Sequence, residues 1–235
     1  PYDSVLDVVG NTPLVRLNNL TNGFESEIFA KLEFLNPMGS VKDRVAKYMI
    51  EKAEKEGRIK NGQLIIENSS GNTALGLALV AVQKGYRLRV IVRDCLSKGK
   101  MDQLKAMGVE IQTVDHTLPP ESPDSYNNIT PRLAKELPDC YFPDQHNNRE
   151  NNEAHYMTTG PEIWEQMDGR IDYFVAGAGT GGTIGGVSRY LKEKDPNIKI
   201  IAVDPEGSIF YDYFHTGKVV KPEPYLIEGL GDEFL

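Results

Sequence analysis

Two cysteines, Cys95 and Cys140, are all that the 235-residue chain contains. They are too few for a disulfide framework and are not spaced as metal ligands. A reducing, cytoplasmic setting is the expectation that follows. Basic residues are also scarce: 26 Lys and Arg against 34 Asp and Glu leave a formal charge of -8. That balance argues against nucleic acid or an anionic membrane surface as a partner. No run approaches the roughly 20 apolar residues that a membrane helix needs. The opening residues read as no secretory signal, and no repeat or low-complexity tract appears. What is present is ordinary for a globular protein, 40% hydrophobic and 26% charged residues. The length suits one large domain or two small ones around a real core.

The apolar pattern predicts an alternation of strands and helices. A short helix at Ser4 to Val9 precedes strands at 13–17 and 27–33, and an amphipathic helix runs from Lys42 to Glu56 until Gly57 stops it. Strands are expected at 64–66, 88–92 and 109–114, with helices at 74–84, 98–107 and, after a Pro- and Ser-rich loop, 131–137. A second unit starts near Asn147, with a helix at 151–166, a strand at 172–176, a helix at 184–192 and a strand at 198–203. Strands alternating with Gly-terminated helices indicate parallel α/β units, whose ligands sit beyond the carboxyl ends of the strands.

Three stretches carry chemistry. In Asn36-Pro37-Met38-Gly39-Ser40-Val41-Lys42-Asp43-Arg44 a loop ends at Ser40, a candidate N-cap, and a helix follows. Lys42 then lies in the first turn, where the helix dipole and Arg44 both disfavour a protonated amine. A lysine so placed is either a surface residue opening a helix or an activated nucleophile. The turn Ser69-Ser70-Gly71-Asn72-Thr73 offers hydroxyls, an amide and backbone donors at a helix N-terminus, which suits a carboxylate or simply caps the helix. Gly177-Ala178-Gly179-Thr180-Gly181-Gly182-Thr183 joins a strand to a helix, and its amides and hydroxyls suit a phosphate. As a dinucleotide site this turn fits poorly, although Asp204 at about the expected distance keeps a nicotinamide-dependent oxidoreductase as an alternative. Amine, carboxylate cradle and phosphate cradle together ask for an amino-acid substrate and pyridoxal 5'-phosphate (PLP), which needs a Schiff-base lysine and a phosphate site.

Over essentially the whole chain, an ordered set of motifs resembles the cystathionine β-synthase and cysteine synthase family of fold-type II PLP enzymes. They are Gly10-Asn11-Thr12-Pro13-Leu14, Asn36 to Arg44, Ser70 to Thr73, Asp144-Gln145, Ala154-His155-Tyr156, Gly179 to Thr183, and Val203-Asp204-Pro205-Glu206-Gly207-Ser208. The last of these, with Ser122-Pro123-Asp124-Ser125, leans toward cystathionine β-synthase. The resemblance implies an α/β fold of two doubly wound domains, similar to the tryptophan synthase β-subunit. In it residues 1–41 and 147–235 form a larger phosphate-binding domain and 42–146 a smaller one that binds the substrate carboxylate. It further implies that Lys42 carries PLP and shuttles the Cα proton, and that Asn72 meets the ring oxygen. Ser69, Ser70, Gly71, Asn72, Thr73 and Gln145, with Gly229, hold the substrate, and Gly179, Thr180, Gly181, Gly182 and Thr183 hold the phosphate. The implied reaction is β-elimination or β-replacement on cysteine, serine or O-acetylserine through an aminoacrylate, in a homodimer with a small amino-acid substrate and no metal.

Three departures qualify the resemblance. Ser69 stands where the family usually has Thr, and His146 where it usually has Tyr. The segment Glu228-Gly229-Leu230-Gly231 resembles the loop over the substrate, but Asp232 follows where a Tyr or a small residue is usual. A carboxylate there would repel hydrosulfide and could accept a proton from water, so the expected reaction leans to L-cysteine and water giving L-serine and hydrogen sulfide. Cystathionine β-synthase or cysteine synthase chemistry with a thiol or sulfide nucleophile, and a PLP-fold module without turnover, are the alternatives. The family's further C-terminal α/β portion, which supplies a Ser or Thr to the pyridine nitrogen, does not follow. Either the sequence is a fragment or the ring nitrogen is met differently.

Overall fold

The computed structural model describes residues 1–19, 21–119, 121–227 and 229–232, and the chain divides into two compact units, Pro1–Asn148 and Arg149–Leu235.

The first unit is built on a parallel sheet. Strands β1 (Leu14–Arg16) and β2 (Phe29–Lys31) form a small antiparallel pair. Four parallel strands follow, β3 (Leu64–Asn68), β4 (Arg87–Arg93), β5 (Glu110–Val114) and the two-residue β6 (Cys140–Tyr141), ordered β5-β4-β3-β6. The helices are α1 (Lys42–Lys55), α2 (Asn72–Lys84), α3 (Lys98–Ala106) and α4 (Tyr126–Glu136). A four-residue 3-10 turn, Val5–Val8, replaces the helix expected at the start; Ser4 and Asp7 cap it reciprocally.

Helix α2 is buried around nearly its whole circumference, from Thr73 to Ala81, and all but Thr73 of that stretch is apolar or glycine, as suits a helix enclosed by other elements. It packs on α1 and β4, and Ile50, Ala53, Leu77, Val80, Val90 and Val92 fill the core between them. Gly85, at φ +75°, ends α2 in the left-handed conformation that costs a residue with a Cβ most.

Two expectations for this unit change. Strand β6 is too short to leave a periodic signal, yet it pairs with β3 at Leu64 and Ile65. Helix α4 starts at Tyr126, five residues before the expected Pro131, because the Ser125 carbonyl already accepts from the amides of Asn128 and Ile129 at 3.1 and 2.9 Å. Pro131 lies inside the helix rather than at its first turn.

The second unit contains α5 (Glu150–Ala154), a π-helical turn (His155–Thr159), α6 (Gly160–Gln166), β7 (Tyr173–Gly177), α7 (Gly182–Lys194), β8 (Lys199–Val203) and α8 (Phe210–Thr216). Strands β7 and β8 pair in parallel, and Ile163, Val187, Leu191 and Ile198 form the buried core beneath them. The single helix expected over 151–166 is therefore continuous but carries a π-turn at its centre. Among the described residues no helix is long and apolar enough to cross a membrane.

Candidate active site

Lys42 is the first residue of α1, and its surroundings, rather than its neighbour in sequence, set its chemistry. Part of the side chain keeps solvent contact, but the amine is enclosed densely enough that burial lowers its pKa from 10.5 to about 8. The expected help from Arg44 is not the cause. The buried Arg44 guanidinium donates to both Glu33 oxygens, at 2.7 and 2.8 Å, and to the Thr12 hydroxyl at 3.2 Å. Asn36 closes the same network: its amide nitrogen donates to Glu33, and its oxygen accepts from the Gly10 amide at 2.9 Å. The residues flanking Lys42 thus anchor the start of α1 to the N-terminal segment.

Ser40 caps differently from the expectation as well. The N-cap position is Val41, but the Ser40 hydroxyl accepts from the Lys42 amide at 3.1 Å. Asp43 is buried and accepts from the Met38 amide at 2.7 Å. Burial outweighs that bond, and Glu33 adds repulsion, so its pKa rises to about 6.

Helix α2 brings the second set of groups to the carboxyl end of β3. Ser69 is the working cap, its hydroxyl accepting from the amides of Gly71 and Ala74 at 3.3 and 3.2 Å. The Ser70 hydroxyl accepts from the Arg93 amide at 3.1 Å, which ties the turn to β4. Thr73 donates to the buried Gln145 side chain at 2.5 Å, so residues 72 positions apart in sequence meet. Asn72 is left exposed at the head of α2, and His146, beyond Gln145, is exposed too. Helices α1 and α2 meet at Gly76, where an added Cβ would lie 2.9 Å from the Lys42 carbonyl oxygen. Lys42, Ser69 to Thr73 and Gln145 are therefore carried by one packed unit.

Glu67 has no counterpart in the motifs. It sits fully buried in β3, two residues before Ser69, and neither carboxyl oxygen meets hydrogen-bond geometry. Burial and then repulsion from Asp144 raise its pKa to about 8, with the amides of Gln145, Asn68 and Asp144 only partly offsetting them. Burial thus favours the protonated carboxyl at neutral pH. A lone Glu in a run of Leu and Ile was the only signal of it in the sequence.

In the second unit the glycine turn leads β7 into α7. Gly181, at φ +74°, is the N-cap, and the 13-residue α7 directs its first amides into the turn. Helix α5 and the π-turn support it from behind: Asn151 donates to the Thr180 hydroxyl at 2.9 Å and Asn152 to the Gly181 carbonyl at 3.1 Å. The fully buried His155 bridges Thr159 at 2.9 Å and Thr183 at 3.2 Å. The sequence marked His155 only within the Ala154-His155-Tyr156 motif and gave no sign that it orients Thr183.

The glycines are needed for space. A Cβ at Gly179 would lie 2.6 Å from the Gly229 carbonyl oxygen, and one at Gly182 would overlap Asn151. Residues 229–232 thus lie against the turn, where the Gly231 amide donates to Ala178 at 2.6 Å. The Asp232 amide donates to the Ser208 hydroxyl at 3.2 Å, and its carbonyl accepts from Ile209 at 3.3 Å. Glu228 lies outside the described residues. Asp204 accepts from the Tyr211 amide at 2.9 Å, as a cap for α8.

The family model described as pyridoxal-phosphate dependent enzyme matches residues 5–234. Cystathionine beta-synthase from Apis mellifera is 46% identical over 98% of this chain, and that from Rattus norvegicus 45% over 98%. The chain spans less than half of those relatives, 46% and 41% of their lengths. Among solved structures, a hydrogen sulfide-producing enzyme from Fusobacterium nucleatum is 38% identical with a TM-score of 0.87, over 98% of this chain and 72% of that one. An O-acetylserine dependent cystathionine beta-synthase from Helicobacter pylori is 38% identical with a TM-score of 0.89, over 100% and 74%.

Proposed function

We propose a reaction for a chain that belongs to the family of pyridoxal-phosphate dependent enzymes: β-elimination and β-replacement on a β-substituted L-alanine, leaning to L-cysteine plus water giving L-serine plus hydrogen sulfide. In that reaction the Cβ–S bond breaks, a Cβ–O bond forms, and the departing sulfur takes up a proton. The observation that carries the proposal is the enclosed amine of Lys42, held near pKa 8 at the head of α1. An amine of this kind is unprotonated often enough near neutral pH to act as nucleophile and proton carrier.

The residues present fit PLP. A crowded glycine turn at the N-terminus of a 13-residue helix, its Thr180 and Thr183 hydroxyls held by Asn151 and His155, suits a dianionic phosphate. When bound, PLP withdraws electrons from the substrate Cα. In this proposal Lys42 holds the aldehyde carbon and moves the Cα proton. Asn72 binds the ring oxygen, and Gly179, Thr180, Gly181, Gly182 and Thr183 bind the phosphate. Ser69 to Thr73, Gln145 and Gly229 hold the substrate, its carboxylate on the turn that Ser69 caps. Asp232 accepts a proton from the water that adds to the β-carbon.

Formation of cystathionine or cysteine from serine or O-acetylserine and a thiol or sulfide is the second reading. The names of the relatives favour it. Family membership displaces the nicotinamide reading. We also propose a homodimer in a reducing, cytoplasmic setting. The division of 1–41 and 147–235 from 42–146 is kept as a proposal, and a boundary near 147 matches the break at Asn148. Residues 1–41 make their contacts with the first unit, through Leu6 in its core and Thr12 on Arg44, so for them the proposal rests on the resemblance alone.

The test is incubation of the longest natural form of the protein with cysteine, serine or O-acetylserine, each with and without homocysteine, followed by mass spectrometry. Serine and sulfide from cysteine alone support the first reading; cystathionine as the dominant product supports the second. Asp232→Asn is expected to lower serine formation by about 10²–10⁴-fold while cysteine still perturbs the cofactor's visible band. Serine formation at the wild-type rate removes Asp232 from the mechanism, and a visible band that survives Lys42→Ala removes Lys42.

A further inference from the structure

Away from the groups assigned above, the loops that follow β4 and β5 bring three unlike donors together. A carboxylate oxygen of Asp94, the sulfur of Cys95 and a ring nitrogen of His116 all lie within 4.8 Å of one another. The strand register puts them there. Arg93 pairs with Val114, the Asp94 amide extends that ladder by donating to the Val114 carbonyl at 3.0 Å, and His116 stands two residues beyond. The His116 amide and Nδ1 both lie on Asp94 Oδ1, at 3.2 and 2.7 Å, so two of the three donors are already held in place. All three side chains are exposed.

We propose that Asp94, Cys95 and His116 bind a divalent transition-metal ion, with zinc the best match. Zinc bonds of about 2.0–2.3 Å put tetrahedral ligands about 3.3–3.7 Å apart. To reach that range the Asp94–His116 pair opens from 2.7 Å and the Cys95 sulfur moves in from a spacing of at most 4.8 Å, shifts that fall on three exposed side chains. The ion takes the place of the hydrogen between Asp94 and His116. Neutral His116 then carries its one ring proton on Nε2, the displaced hydrogen having moved there through solvent, and offers Nδ1, while the Cys95 thiol proton is released to solvent. Water fills the fourth position. A set of one sulfur, one nitrogen and one oxygen favours zinc and its transition-metal neighbours over magnesium and calcium, which take all-oxygen shells. The bound ion would clip the two loops together one residue from Arg93, whose amide holds Ser70.

The experiment is calorimetric titration of the reduced full chain with zinc chloride, and a parallel titration with cobalt(II) read by difference absorption. One saturable equivalent is expected, with a thiolate-to-cobalt charge-transfer band. Cys95→Ser should abolish that band, and His116→Ala and Asp94→Ala should each weaken zinc at least about tenfold. All three positions are exposed, so an unchanged circular dichroism spectrum is expected to accompany these losses. Absence of a saturable equivalent, affinity unaltered in all three variants, or equal affinity for magnesium would overturn the proposal.

Discussion

Glu67 and Lys42 are two ionisable residues that the first unit encloses, and burial pushes each toward its neutral form. Glu67 titrates near pH 8 in the folded chain against 4.5 ordinarily, so between these values the native state holds a proton that the unfolded chain has released. Its contribution is complete below about pH 4.5 and is lost as pH rises toward 8. Asp43, raised to about 6, acts in the same direction but only up to that value, and Lys42, lowered to about 8, acts only above it. From pH 6 to 8 Glu67 therefore stands alone among the three, with a slope of up to about 1.4 kcal/mol lost per pH unit. Glu67→Gln is expected to flatten stability against pH across that window, measured by urea unfolding at several pH values. A slope unchanged in the variant would mean that Glu67 is ionised in the native state.

At the scale of elements, the contact of α1 with α2 decides where Lys42 stands. Gly76 lets the two backbones approach, and a methyl group there would crowd both the Lys42 carbonyl and Ala46. Gly76→Ala gains helix propensity but overpacks this crossing, with a net destabilisation of about 1–3 kcal/mol expected. The same substitution should lower cofactor absorbance, because α1 can yield only by moving the residue at its head. Denaturant unfolding and a visible spectrum check both. The π-turn His155–Thr159 plays a comparable part in the second unit, directing a buried imidazole onto Thr183. Its sequence, His-Tyr-Met-Thr-Thr, is compatible with plain α-helix, which is why a straight helix was expected there.

Over the whole molecule the two units differ in how much they bury. The first encloses α2 and the faces of a four-stranded sheet, with Ile65, Ile66, Leu77, Val90 and Ile91 fully buried. The second has a two-stranded parallel sheet on which Tyr173, Val175, Ile201 and Val203 are all more than 40% exposed. Parallel strands are ordinarily covered on both faces, and a pair of strands is marginal without such cover. Amide exchange measured by mass spectrometry is therefore expected to be slower in β3 and β4 than in β7 and β8. Equal protection in the two sheets would contradict this account.

The sequence by itself determined what is local: the α/β alternation, the glycines that end helices, the Ser69–Thr73 and Gly177–Thr183 turns, and Lys42 at the head of a helix. Such features depend on residue type and short spacing, and they survive in any packing of the elements. Only the tertiary structure decided what depends on neighbours distant along the chain. It set the cause of Lys42's lowered pKa, the pairing of Arg44 with Glu33, the neutral carboxyl of Glu67 and the hold of His155 on Thr183. It also brought Cys95 to His116 across two loops. The physical reason is the same in each case: burial and mutual distance set the energy of charged and polar groups, and neither quantity exists until the chain is folded.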